Sequence, residues 1–278
     1  MKGIILSICL VFLSGCTASL AIPEADKAPT LMPRGATYLD LVSLPVPKGK
    51  ILVSVYDFRD QTGQYKPQPN SNFSTAVPQG GTALLTNSLL DSNWFVPLER
   101  EGLQNLLTER KIIRAAQKKD TSVNNHGNSL SSLSSANIVV EGGIVAYDSN
   151  IRTGGVGARY LGIGTSGQYR TDQVTVNLRA VDVRSGRILL SITTSKTIFS
   201  HEVSAGAFRF IDYKELLEAE LGYAHNEPVN IAMMSAIDAA VIHLVVKGIQ
   251  AGLWKPQAEN YESDPIIQRY VNQKRQIL

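Results

Sequence analysis

The chain has 278 residues, 44% of them hydrophobic, with 27 basic and 24 acidic side chains giving a formal charge of +3. That length can bury a real core as one or two domains. The basic residues are scattered rather than gathered into a stripe interleaved with aromatics, so no nucleic-acid partner is expected.

Met1-Lys2 is a short basic start, and residues 3–13 (GIILSICLVFL) are an apolar run of secretory-leader length, too short to span a bilayer as a helix. Leu13-Ser14-Gly15-Cys16 follows and resembles a bacterial lipobox, in which the leader is cut before the cysteine and the cysteine is acylated. The expectation is a signal peptide over 1–15 and a lipidated Cys16. An ordinary cleaved leader with an incidental cysteine is the other reading. Several acyl chains anchor a protein stably where one does not. Thr17, rather than Asp, follows the cysteine, which by resemblance addresses the chain to the outer membrane. The only cysteines are Cys9, lost with the leader, and Cys16, so neither a disulfide within the mature chain nor a cysteine-based zinc site is expected.

Residues 16–48 are rich in Pro, Ala and polar side chains and read as an extended tether. Residues 49–150 read as a mixture of strands and helices. Residues 50–57 (KILVSVYD) alternate as a strand. Residues 59–81 are dense in Gln, Asn, Pro and Gly, without a period, and read as a long loop of the kind that is functional or disordered. A helix is expected over 82–90, a short strand over 94–98 and an amphipathic helix over 99–113. After a polar loop at 118–135 comes a buried strand over 137–147, with Gly142-Gly143 suggesting a bulge.

Within residues 162–167, GIGTSG has the dinucleotide-loop spacing, but a β-rich run follows and no helix opens to face a pyrophosphate. Around it small apolar and aromatic residues alternate with mixed ones: Val156, Ala158 and Tyr160 against Thr153 and Arg159. Such a dyad over about 10 residues marks a transmembrane β-strand. Hairpins are expected over 151–171 and, with a turn near Asp212, over 201–226. Strands at 173–183 and 187–199, joined by Arg184-Ser185-Gly186, lie between them within the stretch 172–200. Solvent-exposed flaps of a soluble sheet would show the same alternation. Two hairpins make about four strands, whereas a single-chain barrel needs about eight. In lipid an open edge leaves backbone groups unpaired, so spanning hairpins require several copies sharing one barrel. Residues 227–278 read as helices, led by a long apolar one over 230–253 that covers the core rather than a membrane.

Chemistry is poorly supported, and no catalytic residue, cofactor or metal is expected. The four histidines, His126, His201, His225 and His243, are far apart, with no H-E-x-x-H spacing. Asp57 and Asp60 read as loop-capping carboxylates before an acid/base pair, and no G-x-S-x-G or Walker lysine motif occurs.

Several stretches together resemble the CsgG family of curli production and secretion lipoproteins: PTLMPRG (29–35), SNFSTAVPQ (71–79), GLQNLLTERKIIRAAQ (102–117), GGVGARYLGIG (154–164) and FRFIDY (208–213). The resemblance implies a homo-oligomeric ring in the outer membrane, each copy with a periplasmic α+β domain over 49–150 and periplasmic strands over 172–200. Each copy would give two hairpins to a barrel of about 36 strands, hence about nine copies. Unfolded curli subunits would be exported by passive diffusion, with a periplasmic accessory cap protein and a surface assembly factor as partners. It also places the pore constriction on the 59–81 loop, at Gln68, Asn72 and Phe73. Asn72 and Phe73 match the family pattern; Gln68 stands where familiar members have a tyrosine. Phe73 could alternatively be a loop aromatic tucked into the core. The competing function is a periplasm-facing lipoprotein that binds or scaffolds an envelope component without a pore.

Overall fold

A computed structural model describes residues 31–66, 73–119, 130–154, 167–204, 207–211 and 228–273. The chain divides into Met1–Pro33 and Arg34–Leu278, and the fold is that of the second unit. Its elements are α1 (Ala36–Val42), β1 (Ile51–Asp60), α2 (Gly81–Asp91), β2 (Phe95–Leu98), α3 (Leu103–Lys119), β3 (Ile138–Gly154), β4 (Gly167–Asp182), β5 (Ile188–Ser204), β6 (Ala207–Ile211), α4 (Pro228–Gln250), a short 3-10 turn (Tyr261–Ser263) and α5 (Pro265–Val271).

One sheet in the order β2-β1-β3-β4-β5-β6 carries the fold. β1 runs parallel to both β2 and β3, and β3 to β6 are antiparallel. Pro97 sits in edge strand β2, where its missing N–H removes no interior ladder bond. In β4 the side chains of Val174, Val176, Leu178 and Ala180 are buried, while Gln173, Thr175 and Asn177 between them are partly exposed. That period of two decides which face the helices cover. α4 packs on β4 and β5 and α2 on β1 and β2, with α1 and α5 against α4. On the uncovered face Asn177 Nδ2 donates to Thr193 Oγ1 at 3.0 Å and Arg179 meets Glu141 at 3.2 Å. α4 is long and apolar enough to cross a membrane, but most of it is buried inside the fold. Ile237, Val241, Ile242 and Val245 are fully buried, each worth about 1.5–3 kcal/mol.

Two sequence expectations need correction. The tether does not reach residue 48. Residues 36–42 form α1, whose Leu41 is fully buried. Beyond it, Lys48 N donates to Lys255 O, Gln257 N to Val46 O, and the indole of Trp94 to Pro45 O, at 2.8–2.9 Å. Proline-rich composition masked a segment that is bolted to the domain. Second, β5 and β6 pair Ser204 with Ala207, so this hairpin reverses before the turn expected near Asp212. Alternating Ser, Gly and Ala leave a turn position poorly marked. The remainder of the 201–226 segment lies mostly outside the described residues.

At the domain's entry, Arg34 Nη2 donates to Asp91 Oδ2 at 3.0 Å, and Nη1 lies 3.7 Å from Asp238 Oδ1. The guanidinium stands 4.7 Å over the Tyr38 ring. Asp238 is buried in α4 and accepts from Ser88 Oγ at 2.5 Å. Burial pushes its carboxyl above the ordinary range; Ser88 and Arg34 pull it back, and Asp91 adds to the rise. His243, on the same helix, stacks edge-on against Tyr270 at 5.1 Å, as a partly buried packed ring would. Burial, then Lys247, lower its pKa, against a hydrogen bond with Gln273.

Candidate functional site: the β1–α2 loop

The long loop leaves β1 and enters α2, and both of its ends are fixed. At the exit, Asp60 Oδ1 accepts from Thr62 N at 2.8 Å and from Thr62 Oγ1 at 2.7 Å. Asp57 pairs with Arg59 at 2.6 Å. Asp60 is therefore engaged in holding the loop's root, while Asp57 is paired within β1. At the entry, Thr82 Oγ1 accepts from Phe58 N at 3.0 Å, tying the first turn of α2 to β1. A Cβ on Gly81 would lie 2.4 Å from Phe58 O, so only glycine allows that approach.

Between these ends the loop rises on a two-stranded stalk. Tyr65 and Thr75 form an antiparallel bridge, Lys66 N donates to Ser74 O at 2.9 Å, and Ala76 N to Gln64 O at 2.8 Å. Ala76 and Val77 are buried and anchor the returning strand. Two glutamines bind the stalk sideways to β3: Gln61 Nε2 donates to Gly142 O at 3.2 Å, and Gln64 Nε2 to Tyr147 O at 2.8 Å.

Of the expected constriction residues, Gln68 and Asn72 lie outside the described residues, as does Cys16. Phe73 is described, and it is not tucked into the core: 92% of its surface is exposed. Its φ of 59° lies in the left-handed region that a non-glycine residue rarely adopts. Such a conformation costs about 1–3 kcal/mol and persists only where the surroundings impose it. An exposed aromatic at a strained position on an anchored stalk is not a packing residue of this subunit. Among the described residues, no group of three or more His, Cys, Asp and Glu could hold a metal ion.

Beside the loop, β3 runs past the end of its neighbour. The β1–β3 pairing stops at Asp60–Ile144, whereas β3 continues against β4 to the Gly154–Gly167 pair. The expected turn of the first hairpin lies outside the described residues. Gly142-Gly143 serve close strand approach: a Cβ on Gly142, at φ +155°, would fall 2.0 Å from Asn177 O. The register shifts lie beside them, in β1 between Val55 and Phe58, and between Ile144 and Ala146. Tyr147, the first buried side chain after the second shift, donates its hydroxyl to Asp172 Oδ1 at 2.8 Å. Sequence reasoning passed over this pair, although Asp172 prolongs the apolar row of Val174, Val176 and Leu178, where a carboxylate is out of pattern.

Residues 34–274 match the family model of the curli production assembly/transport component CsgG. The chain belongs to the CsgG family. A CsgG relative from Citrobacter koseri is 57% identical over 270 residues, covering 97% of each chain. Another from Escherichia coli strain K12 is 56% identical with the same coverage. Both are named curli production assembly/transport component CsgG. Among solved structures, a PelC dodecamer from Paraburkholderia phytofirmans covers 71% of this chain and 88% of its own. Its identity is 12% and its TM-score 0.28, too slight a likeness to place any CsgG element.

Proposed function

We propose that this chain is a lipid-anchored subunit of an outer-membrane channel that exports unfolded curli subunits. Each copy gives one hairpin at 151–171 and a second within 201–226 to a shared barrel, and about nine copies supply about 36 strands. A periplasmic cap protein and a surface assembly factor work at its two ends. Lipidation at Cys16 holds the chain at the membrane.

The observation that carries this reading is the anchored loop with Phe73 92% exposed, in a chain of a curli assembly/transport family. In a ring, one loop per subunit projects toward the axis and the Phe73 side chains form an apolar collar. Asn72 and Gln68 add amide groups that can hydrogen-bond an extended backbone. Each contact with a passing chain is weak and brief, as passage requires. A folded domain does not fit such a collar. A capped chamber restricts an unfolded chain, and escape outward restores its conformational entropy, so no nucleotide is required.

The test is the purified, acylated protein in detergent and in planar bilayers. A ring-sized particle with discrete current steps supports the channel. Stable single subunits that pass no current would favour a binding or scaffold lipoprotein instead.

A further inference from the structure

The geometry points to Tyr147 and Asp172 as positioning residues for the constriction, holding the β1–α2 loop at a set height relative to the root of the first hairpin. This inference rests on the channel reading.

Tyr147 is bound at both of its ends. Its backbone carbonyl accepts the Gln64 amide at 2.8 Å, and Gln64 belongs to the loop stalk. Its hydroxyl donates to Asp172 at 2.8 Å, across to β4. Tyr147 is 5% exposed and Asp172 0%. A carboxylate so placed, in a row otherwise filled by Val174, Val176 and Leu178, is costly unless it is hydrogen-bonded. Replacing both partners by apolar groups would satisfy packing alone, so the pair calls for a role beyond cohesion.

The location supplies one. β3 is freed of β1 after Ile144, and the register shift between Ile144 and Ala146 is a place where a strand can be re-aimed. Tyr147 follows at once. From there β3 and β4 continue as the paired arms of the proposed hairpin. The Asp172 bond fixes the angle at which those arms leave the domain, and the Gln64 bond transmits that angle to the stalk carrying Phe73. In a ring of identical copies, a collar is narrow only if every loop stands level. A reference to the barrel wall, repeated in each subunit, achieves this.

The experiment compares the acylated oligomer with its Tyr147→Phe and Gln64→Ala variants, recording mean conductance and open-channel current variance. Tyr147→Phe keeps the buried ring; Gln64→Ala trims an exposed side chain without altering core packing and serves should the first fail to assemble. Both are expected to form rings of parental size while raising the occupancy of displaced loop positions about tenfold, the ratio one such hydrogen bond is worth. Variance rises and conductance shifts accordingly. The same substitutions are then made in a background with residues 66–74 replaced by a short Gly-Ser turn. There they are expected to change nothing, because the loop through which they act is gone. Variants with parental current and variance overturn the inference while leaving the channel reading intact. So does a change that persists undiminished without the loop. A parent protein that passes no current overturns the channel reading, and this inference with it.

Discussion

Phe73 joins two properties that stability alone would not select, a left-handed backbone and near-complete exposure. Phe73→Gly removes the strain, and unfolding in urea is expected to show an unchanged or raised stability, by up to about 1 kcal/mol. Phe73→Ala keeps the strain and removes the ring. Both variants are expected to lower curli export several-fold with oligomers of normal size; undiminished export would exclude the ring from the mechanism. Asp238 gives a second prediction at this scale. Its folded pKa is raised, chiefly by burial, so the folded state binds a proton more tightly than the unfolded chain. The stabilisation is complete below the ordinary carboxylate range, about pH 4, and is lost as pH rises through the raised value. Arg34 and Ser88 temper that loss and Asp91 adds to it. His243 acts with the opposite sign: its lowered pKa withdraws stability as pH falls below about 6.5. Asp238→Asn is expected to flatten the acid-side rise in stability and leave the histidine's step. Thermal melts between pH 4 and 8 read both, and an unchanged profile would show that Asp238 does not contribute.

Elements differ in how far they could be read from the chain. β4 and α4 were legible because each repeats one signal many times: alternation around Val174, Val176 and Leu178, and a broad apolar face over Ile237, Val241 and Val245. α1 was not. It is seven residues long, lies among prolines, and is fastened by partners far along the chain, Arg269 and Tyr270, which both donate to Asp40. The loop was legible as a loop, and the family resemblance supplied Phe73. Its stalk was not legible, since the bonds of Gln61 and Gln64 to β3 are tertiary and leave no local period. α4 also ends in a contact that no propensity reveals. Trp254 folds back so that a Cβ on Gly248 would lie 1.9 Å from its ring, while its indole N–H donates to Val245 O at 2.9 Å. Trp254 also meets Phe95 edge-on at 6.0 Å, so the ring is held from both sides. Gly248→Ala is therefore expected to destabilise the domain by about 3 kcal/mol, despite alanine's better helix propensity. A neutral or stabilising result in denaturant titration would mean that the tryptophan swings away freely.

For the whole molecule, the decisive feature is a sheet that outgrows its own helices. Among the described residues, β3 beyond Ile144 has no strand on the side that β1 occupied below. There β4 is its only strand neighbour among the described residues, and the Gln64 side chain donates to Tyr147 O. In water such an edge is tolerated; in hydrocarbon each unpaired group costs several kcal/mol. One chain's ribbon is too narrow to close on itself, so in the proposed channel insertion and assembly are one event, with neighbouring copies supplying the missing edge. The domain below has its own core and does not depend on that event, because the buried set of β1, β4 and α4 lies beneath the projecting arms. The two can be separated. Replacing residues 152–169 by Asn-Gly keeps the Ile151–Arg170 pair and closes it with a two-residue hairpin turn. This variant is expected to melt within a few degrees of the parent's domain. It should also lose the ring-sized particle and the current together. Rings and current steps that survive the deletion would mean that the first hairpin is no part of the wall, and that the copies are held together by the domain.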